Sequence, residues 1–190
     1  MAILGQMLRN RRAGEGRLAW NLPGFAGPDS VRLRSSDFEL EGVLSRAHAG
    51  RRAGGENLSP ALSWTAAPGR TAQWLLVIQD VDSPTRLPFV HCVALLDADR
   101  VQLARGALGA DTAPAGVRVL RSGMGRGYVG PMPIRGHGPH RYVFQIFALA
   151  EPLRAADGGV DLESARAKTV LAGVRGPVLG RGRLDGFYTR

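Results

Sequence analysis

Two short segments combine residue types that can do chemistry with a spacing that brings them together. Gln79-Asp80-Val81-Asp82-Ser83-Pro84 directly follows an apolar run. If the strand continues, Asp80 and Asp82 share one face, because strand side chains alternate. Two co-facial carboxylates repel one another unless a cation or a proton neutralises them or N–H groups donate hydrogen bonds to them. The alternative is an Asx-turn that closes the strand before Pro84.

The second segment is Gly136-His137-Gly138-Pro139-His140-Arg141-Tyr142, which leads into another apolar run. His140 and Tyr142 are two residues apart and should also be co-facial. A third candidate, His91, lies inside a run typical of a buried strand. Imidazole N–H and phenol O–H groups donate hydrogen bonds to anions, and carboxylates orient the rings. These groups predict a cup for a small anion, whereas a single buried histidine would more simply be structural.

The surrounding pattern indicates the strands that hold these residues. Trp74-Ile78 and Phe89-Leu96 are nearly continuous apolar runs, which predicts central strands covered on both faces, and Tyr142-Leu149 predicts a third strand. Further strands are predicted by alternation at residues 31–34 and 38–43, and a short last strand at 184–188.

One helix is predicted near the C-terminus. Asp161 is a suitable N-cap, the apolar residues up to Val174 have helical spacing, and Gly176-Pro177 ends the pattern. The chain is therefore expected to form a single β-rich domain with a few helices.

Composition narrows the classes of function. The 190 residues carry a net charge of +9, but Lys168 is the only lysine among the 25 basic residues and the arginines are scattered, which argues against specific nucleic-acid binding. The single cysteine, Cys92, excludes an intramolecular disulfide. No apolar run reaches the ~20 residues of a membrane-spanning helix, and the N-terminal apolar stretch is short for a secretory signal, so we expect a cytoplasmic protein without stable membrane insertion.

The ordered motifs resemble those of the phosphatidylethanolamine-binding protein family, in its bacterial branch often called Raf-kinase-inhibitor-like. The matching blocks are Asn57-Leu58-Ser59-Pro60-Ala61-Leu62-Ser63-Trp64, Asp80-Val81-Asp82-Ser83-Pro84, His91, Gly127-Tyr128-Val129-Gly130-Pro131-Met132-Pro133 and the segment from Gly136 to Tyr142. The resemblance covers roughly residues 30 to 190. It implies a mainly β fold with flanking helices (α+β), in which a large central β-sheet packs on a smaller sheet with a C-terminal helix. Residues 1–30 would then form an N-terminal arm, and residues 31–190 the domain.

The same resemblance implies a pocket for phosphate-like anions. Asp80 would be its floor, His91 and His140 its anion donors, and Tyr142 part of its wall. The remaining candidates are the loop residues of the pocket, Asp82 and Pro84 in the first loop and Pro131 and Pro133 in the second.

Three positions depart from the family pattern. Val81 replaces a proline, Cys92 stands where bacterial members usually carry tryptophan, and Met132 replaces a small residue or cysteine. These departures affect the shape of the pocket and the size of its ligand more than its existence.

The leading hypothesis is a binding protein for a small anion or phosphorylated ligand that modulates a kinase or another partner, without a cofactor and without catalysis. Bacterial relatives suggest a homodimer. The alternative is a hydrolase or metal-dependent enzyme that uses the same Asp/His cluster. A third reading, binding of nucleic acid or anionic membranes through the arginines, would predict strong dependence on salt.

Overall fold

The computed structural model describes residues 2–154 and 161–190. The strands and helices in chain order are α1 Ala2–Leu8, β1 Leu33–Ser35, β2 Gly42–Val43, β3 Leu62–Trp64, β4 Gln73–Asp80, β5 Phe89–Asp97, β6 Gln102–Leu103, β7 Val117–Val119, β8 Arg121–Ser122, β9 Gly125–Arg126, β10 His140–Leu149, α2 Ala167–Ala172 and β11 Val178–Tyr188. Short 3-10 turns lie at Ala19–Asn21, Pro23–Phe25, Arg46–His48 and Arg51–Ala53.

A six-stranded sheet in the order β2-β11-β10-β4-β5-β7 forms the centre of the fold. The three apolar runs predicted as strands are β4, β5 and β10, and they are neighbours in the middle of this sheet. A smaller sheet in the order β1-β3-β6 packs on one face, where the rings of Trp64 and Trp74 lie 6.0 Å apart. The predicted large sheet, smaller sheet and C-terminal helix are confirmed.

Alternation along β4 sends side chains into two separate apolar layers. Trp74, Leu76 and Ile78 belong to the cluster that the smaller sheet covers. Leu75 and Val77 belong to a second cluster, which the N-terminal segment and the α2 region cover. Because both faces are buried, β4 has no polar alternation, as its sequence predicted.

Four predictions of local structure were wrong in extent, and two of them concern strands in the first part of the chain. Residues 38–41 do not form a strand, because Glu41 has a positive φ of 59° and Gly42 N–H bonds back to Glu39 O at 2.8 Å in a turn. The first alternating segment forms β1 two residues later than predicted.

The C-terminal helix is confined to Ala167–Ala172. Asp161 is not its N-cap, since Asp161 O instead accepts N–H bonds from Ser164 and Ala165 in a separate turn, and Arg166 is extended (ψ 144°). The interruption lets Leu162 and Ala165 pack into the second apolar layer.

The last strand is longer than predicted. β11 begins at Val178 and pairs along almost the whole of β10. Its first part was not predicted as a strand because it contains several glycines and arginines, and glycine is unfavourable in an ordinary strand. Here Gly182 permits close approach of the chain, since a Cβ at this position would lie 2.4 Å from Val31 O.

The N-terminal segment packs on its own sheet. Leu18, Ala19 and Phe25 are at most 1% exposed, and the rings of Phe25 and Phe147 lie 4.7 Å apart. Two glutamine side chains of the sheet accept hydrogen bonds from the backbone of this segment. Ala19 N–H donates to Gln79 Oε1 at 2.9 Å, and Trp20 N–H donates to Gln145 Oε1 at 2.8 Å. These apolar residues are therefore buried within one chain.

We predict that Gly182→Ala destabilises the protein by about 1–3 kcal/mol, because the added methyl group must displace the Val31 backbone. Gly16→Ala is the matched control, since nothing lies within 4 Å of its Cβ position, and it should change stability by less than about 0.5 kcal/mol. Urea unfolding measures both. Equal stability of the two variants would contradict the close approach.

Candidate functional site

The first part of the site is the end of β4, where the chain turns at Asp80. Its Oδ1 accepts the Asp82 N–H at 2.8 Å, which is the Asx-turn that the sequence left open. Its Oδ2 lies 2.7 Å from His140 Nδ1. Asp80 is 4% exposed and continues the face of Trp74 and Ile78. A carboxylate in such a setting requires compensating hydrogen bonds, and both of its oxygens have them.

His91 occupies an irregularity in the pairing of β4 with β5. Ile78 pairs with Cys92 and Gln79 pairs with Val90, so His91 is the extra residue of a β-bulge. A bulge redirects a side chain. Here it brings the imidazole to the face of Tyr142, with ring centroids 5.0 Å apart.

The loop that contains Val129 fixes His91 through two hydrogen bonds. Val129 N–H donates to His91 O at 2.8 Å, and the imidazole Nδ1 lies 2.5 Å from Val129 O. A carbonyl oxygen can only accept, so His91 Nδ1 carries a hydrogen. Burial lowers the pKa of His91 below its usual value and outweighs the opposing charge of Asp80. The neutral ring therefore presents an unprotonated Nε2, which has no hydrogen-bond partner among the described residues.

Tyr142 lies on β10 two residues after His140, and both side chains face the same side, as predicted. The two rings are nearly parallel, with centroids 6.5 Å apart. The Tyr142 side chain is buried, and its hydroxyl has no hydrogen-bond partner in the described part of the chain. Burial and then the charge of Asp80 raise the pKa of Tyr142, so the phenol remains protonated. It is a donor without an acceptor.

A chain of hydrogen bonds runs outward from Asp80 through two imidazoles. His140 Nε2 lies 2.7 Å from His137 Nδ1, and His137 Nε2 lies 2.8 Å from Leu8 O. Since Leu8 O only accepts, His137 Nε2 must carry a hydrogen. The contact between His137 and His140 and the contact between His140 and Asp80 each need one further hydrogen. Three hydrogens on two imidazoles and one carboxyl group give zero net charge, so the Asp80 carboxylate is balanced within the chain.

The N-terminal segment crosses the rim of this cluster. Arg12 Nη1 lies 2.7 Å from Asp82 Oδ1 and 3.1 Å from Pro139 O. The next residues also bond to the first loop, since Ala13 N–H donates to Ser83 O at 2.9 Å and Gly14 N–H donates to the carbonyl oxygen of residue 81 at 2.8 Å. Together with Leu8 O, these contacts cover the cluster, whose four central side chains are at most 4% exposed.

The structure brings together four of the eight sequence-predicted residues, namely Asp80, His91, His140 and Tyr142. Asp82 turns outward, where its Oδ2 accepts the Arg141 N–H at 2.7 Å. The other three, Pro84, Pro131 and Pro133, lie in the two flanking loops. Pro131 and Pro133 are buried, and Pro131 O accepts the Gly50 N–H at 3.0 Å.

Sequence reasoning missed three contributors. His137 lies inside the recognised motif, three residues before His140, and could have been suspected from that spacing. Val129 acts through its backbone and carries no side-chain signal. Arg12 lies outside the recognised motifs, 70 residues away from Asp82 along the chain, and nothing in the sequence pairs the two.

The structure also bears on metal binding and on the chemistry of the single cysteine. Among residues 2–154 and 161–190, no three His, Cys, Asp or Glu side chains form a group that could hold a metal ion. Burial raises the pKa of Cys92 to about 12, so its thiol stays protonated at neutral pH and is not a nucleophile.

Within residues 2–154 and 161–190, no helix has the length and apolar character needed to cross a membrane.

Comparison with known proteins gives a consistent result. The family model described as "Phosphatidylethanolamine-binding protein" matches residues 34–189. A UPF0098 protein of Methanothermobacter thermautotrophicus is 35% identical over 139 residues, which cover 72% of this chain and 85% of the relative. Escherichia coli YbhB is 34% identical over 124 residues, which cover 63% of this chain and 78% of that protein. A Mycobacterium tuberculosis relative named as a putative lipoprotein, LppC, is 30% identical over 70% of this chain and 61% of its own length.

Solved structures share the fold. Escherichia coli YbcL, described as a member of the mammalian PEBP family, superposes with a TM-score of 0.75 at 23% identity over 84% of this chain and 98% of its own. A PEBP homologue from Chlamydia trachomatis gives a TM-score of 0.70 at 22% identity, covering 85% of this chain and 99% of its own.

We predict that ¹⁵N NMR of the ligand-free protein finds His91 as a neutral ring with hydrogen on Nδ1 at pH 7. On acidification it should protonate below the usual histidine range, because burial disfavours the cation. The unfolded chain binds this proton more readily, so His91 reduces folding stability as pH falls below about 6.5. A His91 imidazolium at pH 7, or hydrogen on Nε2 alone, would contradict this geometry.

Proposed function

Because the chain belongs to the phosphatidylethanolamine-binding protein family, a family of ligand-binding proteins, we propose that it binds a small phosphate-like anion or the phosphoryl group of a phosphorylated ligand. The binding groups are His91 and Tyr142, and Asp80 and His140 form the adjoining, internally balanced part of the cluster. The protein acts by binding, without a cofactor and without catalysis.

One observation carries this proposal: the Tyr142 hydroxyl and His91 Nε2 have no partner in the described part of the chain, although the neighbouring polar atoms of the cluster do. The Tyr142 hydroxyl is buried and unpaired, and its ring contacts that of His91. An unsatisfied buried polar group costs about 1–3 kcal/mol. A ligand oxygen that accepts from Tyr142 removes this cost, and a phosphate offers such oxygens on several sides.

The charge of the ligand sets the role of His91. In the neutral ring, Nε2 holds a lone pair and repels an anion. After protonation the same atom donates a charge-assisted hydrogen bond, which is shorter and stronger than a neutral one. Anion binding is therefore coupled to proton uptake by His91. The Asp80 charge acts on both binding groups, and its contact with His140 offsets part of its repulsion of the anion.

The contacts also bear on the enzymatic alternative. Both oxygens of Asp80 accept hydrogen bonds and both nitrogens of His140 are engaged, so the free lone pair among the imidazoles of the cluster is that of His91 Nε2, the atom assigned here to the anion. The Cys92 thiol remains protonated. The protonated thiol, and the lack of a metal-holding group among residues 2–154 and 161–190, favour a binding role for the cluster over a hydrolase or metal-dependent role.

The remaining parts of the proposal concern partners. We infer that occupancy of the site modulates a kinase or another protein partner, that two copies associate as a homodimer, and that the protein is cytoplasmic. These inferences rest on the sequence and its resemblance to bacterial relatives. The division into an arm of residues 1–30 and a domain of residues 31–190 belongs with them.

Tyr142→Phe should separate binding from stability. Loss of a hydrogen bond to a charged ligand weakens phosphate binding at least about tenfold. Folding stability should stay the same or rise slightly, because the deleted hydroxyl has no partner. Calorimetric titration with phosphate and thermal unfolding measure the two effects.

Tyr128→Phe is the matched control. Its hydroxyl donates to His48 O at 3.0 Å, so its loss leaves a buried carbonyl unpaired and should destabilise the protein by about 1–3 kcal/mol. Phosphate affinity of the folded variant should be unchanged. Wild-type affinity in Tyr142→Phe would refute the proposed contact.

Sulfate affinity should increase as pH falls from 8 to 5, since binding draws a proton onto His91, whose pKa is lowered by burial. Sulfate is the better probe because its own charge does not change over this range. His91→Gln supplies a donor that does not titrate and should flatten the profile. A profile that is flat in the wild type, or equally steep in His91→Gln, would exclude His91 as the coupled group.

A further inference from the structure

A cavity lies on the opposite face of the large sheet from the His/Asp cluster. Its volume is about 210 Å³, and Gln79 and Val90 line it. These residues are the sequence neighbours of Asp80 and His91, and their side chains point the other way because strand residues alternate and the bulge at His91 resets the pattern. The cavity is thus separate from the candidate anion site.

Three segments supply the apolar walls of this cavity, which we call the slot. Leu22 comes from the N-terminal segment, Leu87 and Pro88 from the turn before β5, and Leu171 and Ala172 from α2. Leu87 is 41% exposed and adds accessible apolar surface to this lining. The lining therefore favours an apolar group.

The polar groups of the slot are two cations and one amide. Arg17 and Lys168 line it and are exposed, and neither forms an ion pair with the described residues, whereas no carboxylate lines the slot. Gln79 is 2% exposed; its Oε1 accepts Ala19 N–H and Gln145 Nε2, while its Nε2 has no acceptor among residues 2–154 and 161–190. All three can serve as donors to an anionic head group.

We propose that this slot binds a small amphiphilic carboxylate, with a short alkyl chain between Leu22 and α2 and the carboxylate near Arg17 and Lys168. The volume equals that of about seven liquid water molecules, below the roughly 300 Å³ at which pockets for drug-sized ligands begin. The tail is therefore short, and a complete lipid chain does not fit. The proposal does not depend on the function of the His/Asp cluster.

The test is calorimetric titration with a series of straight-chain carboxylates from butanoate to dodecanoate. Affinity should rise about fourfold per methylene group, the effect of burying each in an apolar site, and stop rising once the slot is full. Octanol should bind at least about threefold more weakly than octanoate, because it lacks the charge that the two cations meet. Saturating sulfate should not displace octanoate.

Two pairs of variants locate the binding. Ala172→Trp fills the slot and should abolish octanoate binding, whereas Thr169→Trp, on the same short helix but outside the lining, should not. Lys168→Met should weaken octanoate about threefold and leave octanol unchanged, and Arg166→Met is the charge control. Thermal unfolding verifies that each variant is folded.

Four results would overturn the proposal: no saturable octanoate binding, unchanged binding in folded Ala172→Trp, equal affinity for octanol and octanoate, or displacement of octanoate by sulfate. Chain-length dependence with a plateau, loss in Ala172→Trp and retention in Thr169→Trp would establish it.

Discussion

The buried carboxylate of Asp80 is the group around which the site is organised. A charge that is 4% exposed must be compensated by hydrogen bonds and opposite charge, since the cost of leaving it unpaired exceeds the stability of most single contacts. The turn that ends β4 satisfies one oxygen and His140 the other. His140 in turn contacts His137, and His137 donates to Leu8 O. One buried charge thus connects the central sheet, the motif loop and the N-terminal segment.

The bulge at His91 is the second constraint, because it divides the functions of the two sheet faces. With regular pairing, His91 would point to the face that Val90 now occupies. The inserted residue turns the imidazole toward Tyr142 and leaves Val90 for the apolar slot on the other side. Val129 holds the bulge through two backbone contacts with His91.

Much of this arrangement could be predicted from the sequence, and the failures have physical causes. β4 and β5 were recognisable because strands buried on both faces are apolar throughout. β11 was mostly hidden, since its glycines serve the close crossing of Val31 and not local strand preference. In the site, alternation sufficed to predict that His140 and Tyr142 share a face. Three features of the site depend on tertiary contacts and have no local sequence signal. They are the lack of a partner for the Tyr142 hydroxyl among the described residues, the backbone contacts of Val129 with His91, and the ion pair of Arg12 with Asp82.

In the proposed function, one oxyanion satisfies Tyr142 and His91 together. The most direct measurement is a crystal structure grown with selenate, an oxyanion whose selenium can be located by anomalous scattering. We predict one selenate with oxygens within hydrogen-bond distance of the Tyr142 hydroxyl and His91 Nε2, while the contact between Asp80 and His140 is retained. A Tyr142 hydroxyl that pairs with a protein group, with selenate bound only elsewhere, would contradict it.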